Sequence, residues 1–468
     1  GDIYSRGWQR TDNTNNFLSF FATFAYSFKN RYVVNANVRN DASNVFGQDI
    51  NHRIDPTYSF GLSWRASEEA FFQKHLKWIT TLNFRGTFGI QGNALTRESP
   101  ELILSQQGVQ PGYNRYFSTI GQIPNPYLSW ERTRNWNFGV DLELFRMFYM
   151  NLEYYTRRSN AVITVDLPFE YGIDDMKRNG GIIYNRGIEY TLSFTPIQKR
   201  DFSLNINLNA SKNWNKGGET KIDRNTAMYL RGGSTQILKE GYPLSAFWSY
   251  SFAGLDGSNG KPMFNYVEVP DEEKSKSIDP TTYLVYSGET EPYFTGGLGF
   301  SFRYKSLSLN TSFSLLLGSK KRLPSPYSDF QGSGSMMPDP TKNVNRDLLN
   351  RWQKPGDEVY TNIPGLPTWP IEIGWTLPNT DSAESAIEMW EKSDAMVVSG
   401  SFLRCRNIGL SWQMKKEWCD KIHAKNLAIN FNMDNIFVIA SKRFNGFDPE
   451  LENSIMPRSF SLGLNIGF

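Results

Sequence analysis

The chain has 468 residues, with 50 Lys and Arg set against 47 Asp and Glu, three His and two Cys. A formal charge of +3 over that many ionisable groups gives no concentrated field, which argues against nucleic acid and acidic lipid as partners, because a basic footprint requires clustering of one sign. His52, His75 and His423 lie far apart and Cys405 and Cys419 form no C-x-x-C pair, so no zinc site, disulfide framework or cofactor is expected.

The mean hydropathy is −0.49, and no run approaches the roughly 20 apolar residues of a spanning helix. Helical membrane proteins are excluded. Yet 33 Phe, 23 Tyr and 13 Trp are a heavy load for so polar a chain. A transmembrane β-barrel, apolar outside and polar inside, has a hydropathy that averages to that of a soluble protein.

Period-two alternation decides the secondary structure, since neighbouring side chains of a strand point to opposite faces. Leu18, Phe20, Ala22, Phe24, Tyr26 and Phe28 alternate with Ser19, Thr23 and Ser27, and Tyr32, Val34, Ala36 and Val38 with Arg31, Asn35, Asn37 and Arg39. Tyr58 to Trp64, Leu82 to Phe88 and Trp136 to Leu144 follow, the last with Asn137, Asp141 and Glu143 on its second face. Ile188 to Phe194, Phe202 to Leu208 (with Asn205 and Asn207 between and Asn209 beyond), Leu298 to Tyr304, Leu307 to Leu317, Leu427 to Met433 and Phe460 to Phe468 repeat the pattern. This makes about fifteen strands near the roughly ten residues of a tilted membrane strand. A soluble sandwich would alternate in the same way. Aromatics at strand ends (Tyr26, Phe28, Tyr32, Trp64, Trp136, Trp412) favour the membrane, where they form interfacial girdles.

The connections are unequal: tight at Lys29 to Arg31, Phe145 to Met147, Gln198 to Arg200 and Lys305 to Ser306, and long at about 90–133, 159–186, 213–241 and 318–399. Short periplasmic turns and long extracellular loops are the outer-membrane pattern. Counting back from Phe468 puts all tight turns on one side, provided an additional weak strand lies between about 262 and 288. By the same count residues 1–16 belong to an extracellular loop and 17–468 to the barrel.

Several segments resemble the SusC/RagA family of TonB-dependent outer-membrane transporters of Bacteroidetes. LNFRGTFGIQGN (82–93) is similar to its strand followed by Gly-x-x-Gly-Asn, and NPYLSWERTRNWNFGVDLELF (125–145) to its Asn-Pro…Leu-x-Trp-Glu…Asn-x-Gly-x-Asp stretch. The spacing at 26–47, YNRGIEYTLSFTPI at 184–197, EGYPLSAFWSY at 240–250 and FNGFDPE at 444–450 add to it, in the family's order. Ala42 departs from the family's turn glycine.

The resemblance implies a barrel of roughly 22 strands of which this chain forms the last part. Its plug domain, TonB-contacting box and first strands precede the region matched here. It further implies active import of oligosaccharides or oligopeptides beneath a SusD-like surface lipoprotein, with energy delivered through the TonB complex. A passive porin or a structural adhesin barrel is the alternative.

No catalytic arrangement emerges, because none of the three histidines stands beside a nucleophile, and an enzyme is not expected. Asp256 to Gly260 reads as a Gly/Asn turn, since it lacks the acidic residue that completes a calcium loop. The longest loop carries Tyr327, Trp352, Tyr360, Trp369, Trp375 and Trp390, whose rings either stack on substrate or pack the loop upon itself or a lid. Eight prolines stiffen the same loop (Pro324, Pro326, Pro338, Pro340, Pro355, Pro364, Pro367, Pro370), so it and 90–133 are expected to contact the lipoprotein.

Overall fold

The computed structural model describes residues 16–43, 54–93, 102–110, 112–125, 127–167, 170, 172–173, 175–220, 227–232, 238–265, 280–327, 343–366, 386–451 and 454–468. In chain order the strands are β1 (Phe17–Phe28), β2 (Tyr32–Ser43), β3 (Ile54–Arg65), β4 (Ile79–Asn93), β5 (Ile103–Gln110), β6 (Arg115–Gln122) and β7 (Glu131–Leu144). Then come β8 (Phe148–Asp166), β9 (Asp175–Gln198), β10 (Phe202–Thr220), β11 (Ala246–Tyr250), β12 (Phe252–Leu255), β13 (Pro262–Phe264) and β14 (Leu284–Glu289). The last are β15 (Phe294–Tyr304), β16 (Leu307–Leu317), β17 (Lys320–Arg322), β18 (Val397–Ser399), β19 (Phe402–Gln413), β20 (Asn426–Ile439) and β21 (Ser459–Gly467).

Among the described residues 13 strands form one antiparallel sheet, in the order β1-β2-β3-β4-β7-β8-β9-β10-β15-β16-β19-β20-β21. The others pair off as β5-β6, β11-β14, β12-β13 and β17-β18. Among the described residues no strand between 262 and 288 joins the large sheet, and β10 pairs directly with β15. With that pairing the tight turns at 29–31, 145–147, 199–201 and 305–306 all fall at one end of the strands, and the longest connections at the other. The expected additional strand is therefore not needed. The stretch 246–250, within the family-like segment EGYPLSAFWSY, forms a strand, but in a small separate sheet with β14.

The turn tips are tight enough to force left-handed backbone on bulky residues: Lys29 and Asn30 at φ 50° and 56°, Phe145 and Arg146 at 53° and 57°. Two consecutive positive φ values make a type I′ hairpin turn, whose twist matches that of the strands it joins. Much of the stretch 159–186 is strand, since β8 runs to Asp166 and β9 starts at Asp175. The stretch 90–133 contains the β5-β6 hairpin.

The chain divides into two compact units, the first built from 1–141, 153–186 and 217–222, the second from 142–152, 187–216 and 223–468. In the first, pairing brings Phe24, Ala36, Phe60 and Phe88 into one cross-strand row and Thr23, Asn37, Ser59 and Gly89 into the row on the opposite face. The apolar row faces out: Phe20, Phe24, Phe60, Phe84 and Phe138 are between 40% and 66% exposed, which no packed soluble core would allow. On the polar face Arg85 bridges Asp141 at 3.2 Å and Glu153 at 2.9 Å.

The motif segments acquire local reasons. A Cβ on Gly89 would stand 3.1 Å from that of Ser59, and one on Gly92 would run into the Asp55 carboxylate, so these two of the three glycines in the LNFRGTFGIQGN stretch allow close strand approach. In NPYLSW, Asn125 donates to the Lys177 carbonyl at 2.7 Å, and Ser129 exchanges two 2.9 Å hydrogen bonds with the Asn179 side chain. Leu128 and Trp130 are buried beside them.

In the second unit the apolar row runs Leu204, Phe302, Leu309, Leu410, Phe431, Leu462 across six strands. The polar row runs Asn205, Ser301, Asn310, Gly409, Asn432, Ser461. Here Leu464 is exposed and Leu204, Phe300, Leu309 and Ile429 are partly so.

The buried core of this unit lies mainly in its long connections. Leu230, Ala246, Trp248, Tyr250, Leu284 and Met389 form one cluster, and Tyr327, Leu348, Ile387, Trp390 and Met396 a second. Arg322 ties these segments together by donating to the carbonyls of Arg231 (2.8 Å) and Trp248 (3.1 Å) and to the Ser249 hydroxyl (3.0 Å). Burial, reinforced by the nearby Arg231 charge, lowers its pKa to about 10. Cys405 and Cys419 are buried free thiols. Buried Arg404 of β19 donates to both oxygens of Asp448 at 2.7 Å and approaches Glu450 at 2.9 Å, which anchors the FNGFDPE segment.

Two outcomes are expected. Phe24→Arg or Phe138→Arg should lower bilayer-folded stability by about 2–4 kcal/mol, whereas Asn37→Arg on the polar face should not, as read by urea titration in lipid vesicles. Arg404→Ala leaves Asp448 buried without its counter-ion, and should cost about 3–5 kcal/mol in the same titration.

Candidate functional site

The second unit contains a cavity of about 400 Å³ between its long connections, lined by Asn345, Asp347, Tyr360, Asn362, Trp390 and Arg443 among others. Its walls are positioned by short local motifs. The Asn345 side chain caps the 3-10 turn Arg346–Asn350 by accepting from the Asp347 amide at 2.9 Å. Asn445 donates to Asp347 at 2.5 Å and so ties that turn to the FNGFDPE segment. Arg443 donates to the carbonyls of Val397 (2.8 Å) and Ala395, holding the floor beside the strand β18.

The six aromatic residues singled out from the sequence take different positions. Trp390, in the helix Ala386–Glu391, is buried and donates from Nε1 to the Asn362 carbonyl at 2.8 Å. Tyr327 is buried, meets Trp390 edge to face at 6.2 Å, and donates to the Pro364 carbonyl at 2.5 Å. Burial pushes the Tyr327 hydroxyl pKa well above its ordinary value. Trp352 is half-buried, packs over Gly260 and Gly365, and donates to Glu358 at 3.2 Å. Tyr360 is 89% exposed at the cavity's edge. Trp369 and Trp375 lie outside the described residues.

The geometry therefore brings Trp390 and Tyr360 to one cavity, with Trp390 pinned and Tyr360 free to meet a ligand. The amides Asn345, Asn350 and Asn362 accompany them. An aromatic face with nearby amide groups suits a neutral polar ligand with apolar faces, because the ring covers C–H surface while amides exchange hydrogen bonds with hydroxyls or peptide groups. The asparagines carry no signal of their own in the sequence. The aromatics of the 318–399 loop and the FNGFDPE match are what point to this neighbourhood in the sequence. Leu349 and Val359, exposed at 70% and 78%, add apolar surface to the two successive 3-10 turns beside the cavity.

Asp256 to Gly260 forms a closed turn in which Asp256 Oδ1 accepts from the Ser258 amide (2.8 Å) and hydroxyl (2.7 Å). Those bonds, the hydroxyl's first, lower the Asp256 pKa. No group of three or more His, Cys, Asp or Glu able to hold a metal occurs among the described residues.

A family model described as TonB dependent receptor-like, beta-barrel matches residues 1–318. TonB-dependent receptor SusC of Bacteroides thetaiotaomicron is 25% identical over 486 residues, covering 97% of this chain and 44% of its own length. TonB-dependent receptor P39 of Formosa agariphila is 25% identical over 484 residues, covering 96% of this chain and 45% of its own. The structure of the RagAB peptide transporter superposes with a TM-score of 0.73 at 22% identity over 100% of this chain and 50% of the other, a likeness of fold. The chain spans about half the length of the curated relatives it matches. With the family model covering 318 of 468 residues, and a large antiparallel sheet whose apolar face is exposed, the chain belongs to the TonB-dependent receptor-like β-barrel family.

Proposed function

We propose that the chain forms the C-terminal barrel portion of an outer-membrane importer of the SusC kind, taking up oligosaccharides or oligopeptides with energy from the TonB complex. A plug and the other barrel strands complete the assembly. The observation that carries this reading is the cavity-bearing body folded from the long connections, which has two apolar clusters of its own. Mere links between strands need no such core, and long loops in compact proteins are usually functional.

In this reading the long connections face outward and a SusD-like lipoprotein closes over them. Leu349, Val359 and Tyr360 then supply apolar anchors to the lid or to the ligand beneath it, since exposed apolar clusters mark binding surfaces. The substrate is the finer point. Flat aromatic faces beside amides favour a glycan over a peptide, which relies more on backbone hydrogen bonding.

Leu349→Asp with Val359→Asp should weaken retention of the lipoprotein in a pull-down while leaving the folded protein heat-modifiable on gels. Point variants are preferred to deleting 330–380, which removes buried Leu348 and with it part of the loop core. Retention at full strength would place the lid elsewhere. Tyr360→Ala should reduce uptake of the transported substrate roughly two- to tenfold, the scale of one ring contact. Uptake assays with labelled glycans and peptides decide the class, and transport of peptides alone would sink the glycan preference.

A further inference from the structure

Strands β7 and β8 place two arginines face to face. They are neighbours in the sheet, joined by the turn that the Met147 amide closes on the Leu144 carbonyl at 3.0 Å. The Thr133 and Ser159 hydroxyls meet at 2.8 Å, which sets 133 opposite 159. Arg134 therefore stands opposite Arg158, and Arg132 opposite Asn160.

Arg134, Arg158 and Asn160 belong to the outward face. Along β7 exposure alternates, with Arg132, Arg134, Trp136 and Phe138 exposed and the residues between them half-buried. The arginine pair comes one step beyond Trp136, about 7 Å further along the strand. It thus sits at the border of the exposed apolar belt formed by Trp136, Phe138 and Tyr154, at the end of the strands away from the tight turns.

Like charges directly opposite one another weaken a strand pair. Nothing among the described residues relieves this one: neither Arg134 nor Arg158 meets a carboxylate, and Arg158 lies 5.9 Å from the Tyr184 ring. Arg132 is held by Asp55 at 2.7 Å. Together with Ile90 and Asn160, the three arginines line a cleft of about 170 Å³. Guanidinium groups present paired N–H donors in the geometry that a phosphate accepts.

We infer that this cleft binds a phosphate group of a membrane lipid, in the leaflet at the long-connection end of the strands, with the lipid's acyl chains lying on Trp136 and Phe138. The inference rests on the outer-membrane reading above. A phosphorylated glycolipid of the outer leaflet fits it, because its phosphates sit at headgroup depth while its chains cover the belt. The bound anion relieves the Arg134–Arg158 repulsion, so lipid and strand pairing stabilise each other.

The test uses the full-length protein purified in mild detergent. Native mass spectrometry reads retention of a bis-phosphorylated lipid A, its dephosphorylated form, and inorganic phosphate as a separate arm. Wild type should retain the phosphorylated lipid at least tenfold over the dephosphorylated one, and Arg134→Gln with Arg158→Gln should abolish that preference. The milder Arg134→Lys with Arg158→Lys keeps the charge and should retain an intermediate share, which covers a double variant that fails to fold. In lipid-free detergent the glutamine variant should unfold no sooner than wild type, because the repulsion is gone.

Equal retention of both lipids by wild type, unchanged preference in the glutamine variant, or competition by millimolar inorganic phosphate without any lipid preference would each overturn the assignment. A wild type that inserts into bilayers and imports substrate yet shows no phosphate preference would defeat this inference alone. One that fails to insert would defeat both.

Discussion

A strand that crosses hydrocarbon must find every backbone partner on its neighbours, because an unpaired amide or carbonyl there costs several kcal/mol. That constraint selects the antiparallel ladders of this chain and the period-two code written over them. Residues of one parity meet lipid, and those of the other meet the polar interior. The ladder fixes which residues share a row, and everything else is arranged at the ends of those rows.

One result is an inversion of the usual distribution of apolar side chains. Phe24, Phe60 and Phe138 lie exposed on strands, while Trp248, Tyr250, Tyr327 and Trp390 are buried in connections. Both arrangements obey the same physics. Strand phenylalanines face a medium as apolar as themselves. The connections leave that medium and must fold around apolar clusters of their own to hold a fixed shape.

Much of the sheet was legible because alternation is local and survives reading residue by residue. Where legibility failed, the reason was tertiary. Ala246 to Tyr250 is buried on both faces, so its apolar run looks like a sheet member and not like part of a two-stranded pair. Trp390 and Tyr360 are equally aromatic in the sequence, and only packing makes one a core residue and the other an exposed edge. The asparagines of the cavity had no pattern to betray them. Net charge, read over the whole chain, argued against acidic lipid, whereas the Thr133–Ser159 contact sets Arg134 against Arg158. The letters for that pairing were present, but the register was needed to join them.

Because the connections of the second unit carry their own cores, the residues that line the cavity are separate from those that hold the ladder. Asn345, Tyr360 and Asn362 can be exchanged without disturbing a single strand pair. The lining of the cavity and the pairing of the sheet are thus set by different side chains, and a change in one leaves the other in place.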